Sequence, residues 1–233
     1  NGSLLSRHAE KLANSGLDRV TVSLDAIEDE IVRDISNSSI SSSDIIRGVE
    51  AAIKYGLAVK INTVVIKDYN EHQIIPITEQ FYQMGVTVRF IEYMDVGGTK
   101  NWNPQQVVFG EEIRTIIASK YGKLKPVKQQ KYGQVAKRWS LNNGYEIGFI
   151  ESISKPFCQS CTRARISANG KLYTCLFSEH GHDLKSLITM GADITDLRDA
   201  VIALWSKRND RYSEVRTIRK LETRPVEMHF IGG

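Results

Sequence analysis

Cysteine is scarce in this chain of 233 residues: three thiols in all, Cys158, Cys161 and Cys175. An odd, small number leaves one thiol over in any internal pairing scheme. That argues against a disulfide-stapled secreted scaffold and for metal or cluster ligation in a reducing compartment, which places the protein in the cytoplasm. Long apolar runs are lacking too. The stretch around Ile61 to Ile66 is far too short to cross a bilayer, and the opening NGSLLSRHAEKL lacks the charged-then-apolar order of a signal peptide. An excess of one charge is also small. The formal net charge of +4 does not make the whole surface a nucleic-acid binder, so an anionic ligand has to be argued from a local site. The chain does not begin with methionine, and NGSLL reads as a turn and helix onset after a strand, so a further segment is expected upstream.

What is present is 41% hydrophobic and 25% charged, enough to bury a core. Ser3 to Ser15 has helical apolar spacing closed by Gly16, and DRVTVSLDA follows as a strand. SSDIIRGVEAAIKYG then LAVKINTVVI, and NEHQIIPITEQFYQMG then VTVRFIEYM, repeat the order of helix, glycine and strand. Such alternation predicts a parallel sheet. Within these strands one face is apolar, at Val20, Val22, Leu24, Val59, Ile61, Val65, Val86, Val88 and Phe90. The other carries Thr21, Ser23, Asp25, Lys60, Asn62, Thr87 and Arg89. A parallel strand covered on both sides is apolar throughout, so the polar face predicts a ligand-bearing lumen in a barrel or part of one; the competing reading is an edge strand wetted on one side. Beyond Met94 the segment DVGGTKNWNPQQ reads as a linker, and short strands, turns and late helices at about 111–120, 183–190 and 193–206 predict a second domain, which divides the chain into 1–95 and 96–233.

The thiols sit together in FCQSCTRARISANGKLYTCLF, residues 157–177. Cys158 and Cys161 are spaced to face one metal centre, and Cys175 follows beyond an Asn169-Gly170 turn. Three ligands leave two readings open: a Cys₃His zinc knob completed by His180, or a [4Fe–4S] cluster whose fourth iron is free to bind an external molecule. Arg163 and Arg165, two apart on the expected strand RARIS, would present forked donors to an anionic substrate on one side. Their plainer reading is a solvated face or ion pairs with Glu146 or Glu151.

With VSLDA, VKINTVV, RFIEYMDVG, the cysteine block and a final IGG in this order, the whole chain resembles the C-terminal two-thirds of the GTP 3′,8-cyclase family, radical S-adenosylmethionine enzymes of molybdenum cofactor biosynthesis. The resemblance implies an incomplete (βα)₆ TIM-like barrel, its first strands missing here, and a C-terminal α+β domain carrying a second [4Fe–4S] cluster. It implies that Cys158, Cys161 and Cys175 hold that cluster, and that Lys60, Arg89, Arg163 and Arg165 bind GTP. Ser23 and Met94 match positions that hold S-adenosylmethionine, and Gly232 and Gly233 match a double-glycine tail that reaches into the active site. The family's first [4Fe–4S] cluster needs a Cys-x₃-Cys-x₂-Cys motif that this sequence does not contain, so the chain by itself is expected to bind GTP but not to turn it over. The implied partners are GTP and an electron donor for the first cluster, with a homodimer possible and neither membrane nor nucleic acid expected. The competing functions are a zinc-stabilised nucleotide- or RNA-binding module, with WSKRNDRYSEVRTIRKLETR as its basic face, and an inactive relic that only binds nucleotide.

Overall fold

A computed structural model describes residues 1–96, 102–129, 132–215 and 226–231. It divides into two compact units, one of residues 1–93 with 103–155, the other of residues 94–102 with 156–233.

The first unit is built on strands β1 (Arg19–Ser23), β2 (Ala58–Val65), β3 (Thr87–Glu92), β4 (Lys125–Pro126), β5 (Lys137–Ser140) and β6 (Glu146–Ile150). Their order across the sheet is β1-β2-β3-β6-β5-β4. The first four in that order run parallel, and β5 and β4 close the edge antiparallel. Helices α1 (Leu5–Asn14), α3 (Ser42–Lys54), α4 (Ile74–Gln83) and α5 (Gly110–Tyr121) supply the apolar side chains that cover one face. There Val22, Ile61, Val65, Val88, Phe90 and Phe149 are buried, as period-two patterning demands when one face meets a core. Thr63 is the polar exception on that face, and its hydroxyl donates to the Leu24 carbonyl at 2.7 Å. Helix α3 begins with a capping box, Ser41 accepting from Asp44 N–H while the Asp44 carboxylate accepts from Ser41 N–H. Its Gly48 lets α1 approach, since a Cβ there would stand 2.9 Å from the Gly2 carbonyl oxygen.

Two elements of this unit lie outside the sequence expectations. Helix α2 (Asp29–Ser36) follows β1, with Asp29 and Glu30 in its first turn and Asn37 in the left-handed conformation at its end. The other is β6, which joins β3 in parallel register, Arg89 opposite Gly148 and Phe90 opposite Phe149. Because β6 hydrogen-bonds to β3, residues 103–155 group with the first unit, and a division near residue 96 does not describe this packing.

The second unit has little regular structure. Its strands β7 (Arg165–Ile166), β8 (Lys171–Tyr173) and β9 (His182–Asp183) form a small antiparallel sheet. Helices α6 (Lys185–Thr189), α7 (Ile194–Ser206) and α8 (Tyr212–Val215) follow. The expected strand RARIS is shorter than its pattern suggested, and Arg163 precedes it. Among the described residues no helix is long and apolar enough to cross a membrane.

Candidate functional site

The first unit gathers cations on the polar face of its sheet. Register places Thr21 opposite Lys60 and Ser23 opposite Asn62, with Asn62 opposite Arg89 in turn. Ser23, Lys60 and Arg89 therefore share one face, as their spacing predicted. The Arg89 stem lies over Gly148, where a Cβ would come within 2.8 Å of its Cγ, and its Nη2 donates to the Thr21 hydroxyl at 3.1 Å. Burial, then repulsion from Arg19, lowers the Arg89 guanidinium below its usual range. Lys60 is lowered by burial first and then by Arg89, Arg19 and Arg138. Arg19 and Arg138, absent from the sequence reading, belong to this face. Register could have found both, since Arg19 is two residues from Thr21 and Arg138 pairs with Gly148. Arg138 is neutralised by Glu146 at 2.8 Å.

At the carboxyl ends of these strands, buried polar groups fix the loops. Asn70 donates to the carbonyls of Asp25 and Val64, both at 2.8 Å, and accepts from Ile66 N–H at 2.7 Å. Asp25 accepts from Val64 N–H at 2.7 Å, and burial pushes its carboxyl up to about 6. Glu92, 1% exposed, accepts from the backbone N–H groups of Gly110, Ile153 and Ser154 at 2.8 to 2.9 Å. Its carboxylate thus fixes the turn that leads into the cysteine segment.

In the second unit Cys158 opens a single 3₁₀ turn, and Cys161 N–H donates to the Cys158 carbonyl at 3.2 Å. All three cysteines are free and half-buried. Burial raises the Cys175 thiol, and the neighbouring Asp210, Cys158 and Cys161 raise it further against the Phe177 N–H. Cys161 is also raised by burial, but contacts from the Arg208 and Arg163 guanidinium groups outweigh this and hold it below the ordinary thiol range. Arg165, lowered by burial and by Arg163, feels the attraction of Cys161 and Cys175. The structure thus brings Cys158, Cys161, Cys175, Arg163 and Arg165 into one electrostatic neighbourhood. Arg208 belongs there too, donating to the Cys161 carbonyl at 2.6 Å and to Asp210 at 2.8 Å. In the sequence it was hidden in a tract of mixed charge that reads as a solvated helix. The ion pairs with Glu146 or Glu151 suggested for Arg163 and Arg165 are not their partners: Glu146 pairs with Arg138, and Glu151 with Arg114, Lys137 and Lys155.

His180 is a correction. Its side chain is 95% exposed beside Glu179, so it does not supply the fourth ligand of a closed zinc knob. Among the described residues no three His, Cys, Asp or Glu side chains are gathered as ligands of one metal ion. Three coupled thiols with guanidinium neighbours suit a polynuclear iron–sulfur centre, whose thiolates stand on different irons and carry excess negative charge. Beside Cys175 a cavity of about 380 Å³ is lined by Phe177, Asp210 and Tyr212, with the two rings stacked at 4.2 Å. Met94 is the first residue of the second unit, and Gly232 and Gly233 lie outside the described residues.

Comparison with known proteins assigns the chain. The family model described as Molybdenum Cofactor Synthesis C matches residues 86–214, and that of the Radical SAM superfamily matches residues 1–81. A GTP 3′,8-cyclase of Staphylococcus epidermidis is 42% identical over 238 residues, spanning 100% of this chain and 70% of the relative. One from Xanthomonas campestris pv. campestris is 44% identical over 237 residues, spanning 100% of this chain and 68% of the relative. The chain belongs to the GTP 3′,8-cyclase family. Of the cationic sheet face, Arg19 and Lys60 fall in the Radical SAM match and Arg89 and Arg138 in the molybdenum cofactor match, which also holds the whole cysteine segment.

Proposed function

We propose that this chain carries the GTP-binding and second-cluster portion of a GTP 3′,8-cyclase, which converts GTP to 3′,8-cyclo-7,8-dihydro-GTP in molybdenum cofactor biosynthesis. Whole-chain identity to named cyclases supports the reaction, and the coupled thiols among guanidinium groups carry the site assignment. Cys158, Cys161 and Cys175 would hold a [4Fe–4S] cluster, with one iron left for the substrate. Arg163 and Arg165 would receive GTP beside it, and Lys60 and Arg89 its phosphates; each guanidinium offers a fork that matches phosphate geometry. Ser23 and Met94 would contact S-adenosylmethionine, Gly232 and Gly233 would close the site, and the parallel sheet would belong to a (βα)₆ partial barrel whose polar face is the lumen.

S-adenosylmethionine on the family's first cluster supplies, when bound, the radical that removes the ribose 3′-hydrogen before the ribose carbon joins C8 of guanine. This chain's residues bind and orient. The cations of the sheet face would neutralise a polyphosphate, and the guanidinium groups beside the thiols would orient the nucleotide by charge-assisted hydrogen bonds. The test is nucleotide titration of anaerobically reconstituted protein. GTP binding that weakens about 10- to 100-fold in Arg163→Ala/Arg165→Ala, with Lys128→Ala unaffected, is expected; full-strength binding in the double variant rejects the assignment.

A further inference from the structure

Arg19 opens β1, and no role yet described uses it. It shares the polar face of β1 with Thr21 and Ser23, and Thr21 is the register partner of Lys60. The Arg89 side chain crosses β2 to donate to the Thr21 hydroxyl at 3.1 Å, which brings its guanidinium toward Arg19. Repulsion by Arg19 accordingly reaches both Arg89 and Lys60. Among the described residues no carboxylate lies within 4.0 Å of Arg19, Lys60 or Arg89, whereas Arg138 on the same face is neutralised by Glu146. Cations on one face with no carboxylate at ion-pair distance favour the approach of an anion.

Strand direction orders these groups, with Arg89 level with Ser23 through Asn62. Ser23 stands at the carboxyl end of β1, where parallel sheets bind their ligands. Lys60 lies about one two-residue step back, and Arg19 a further step, about 13 Å from Ser23 along the strand. A nucleoside held at the carboxyl end would extend its phosphates down this line. We propose that Arg19 reads the terminal phosphate, so that the sheet face measures the length of the polyphosphate chain and prefers a nucleoside triphosphate to its diphosphate. The inference rests on the GTP assignment above.

Titrating the reconstituted protein with GTP, GDP and inorganic tripolyphosphate tests it. Arg19→Ala should weaken GTP and tripolyphosphate by about 10-fold or more and leave GDP within about twofold, since one charge-assisted contact is lost only where a third phosphate is present. Arg19→Lys should recover part of the loss, and Lys60→Ala should weaken GTP and GDP together. Unchanged GTP affinity in Arg19→Ala, or equal losses for GTP and GDP, overturns the role of Arg19 and leaves the GTP assignment standing. Failure of the unaltered protein to bind GTP overturns both. Arg19 is exposed at the strand start, so unchanged thermal unfolding of both variants is expected.

Discussion

The two units differ in what holds them. The hydrophobic core cluster, from Leu5 to Phe149, is drawn entirely from the first unit, where Ile61, Val65, Ile77, Phe81, Val88 and Ile117 are fully buried. In the second unit the buried apolar side chains among the described residues are Leu172, Tyr173, Phe177 and Ile231, and helix α7 has no buried residue. Strands two or three residues long and so few buried groups bring little hydrophobic stabilisation. A bound centre whose affinity becomes folding free energy can make up that deficit. The comparison teaches that one polypeptide can divide its labour: a sheet with its own core presents charge on its free face, and a unit with few buried apolar side chains carries the three thiols.

The largest expected effect tests the first half of that contrast. Phe90→Ala, at 1% exposure beside Phe149, should lower stability by about 3–5 kcal/mol in denaturant unfolding, while Leu204→Ala on the half-buried side of α7 should cost about 1 kcal/mol. Equal costs would break the comparison. Next in size, removal of iron with a chelator should speed amide exchange through residues 157–183 and leave β2 and β3 protected; uniform protection would show that the second unit stands without the cluster. A smaller effect sharpens the account of the sheet face. The Asp25 carboxyl, raised by burial to about 6, binds its proton in the folded state where the unfolded chain has already lost it. Its presence therefore erodes stability as pH climbs from about 4 through 6. Asp25→Asn should be increasingly stabilising over that window and level off above it at roughly 3 kcal/mol, as read from unfolding at several pH values. The smallest effect belongs to the exposed Lys120–Glu79 pair at 2.8 Å, where Lys120→Ala should leave the unfolding midpoint within measurement error.

Legibility in the sequence follows the same divide. The alternation in VTVRFIEYM and LAVKINTVVI was readable because a core on one side imposes a period of two, and it placed Lys60, Arg89 and Ser23 on a common face. Helix α2 was missed although Asp29, Glu30 and Asn37 mark its ends, because its eight residues bury only Val32. Strand β6 was missed because EIGFI follows a hairpin, which suggests antiparallel pairing on both sides; only tertiary contact reveals β3 as its parallel neighbour. Around the thiols, spacing identified the cysteines, but Arg208 lies 47 positions from Cys161, and no local pattern announces a contact made across that much intervening chain. His180 looked like a ligand on spacing alone and stands in solvent.

The proposed function requires the three thiols to hold an iron–sulfur centre in the second unit. Assay of iron, sulfide and zinc in anaerobically reconstituted protein tests it most directly. About four irons and four sulfides per chain are expected, lost together in Cys158→Ala, Cys161→Ala or Cys175→Ala. One zinc without sulfide, or iron retained when any of these cysteines is replaced, would contradict it.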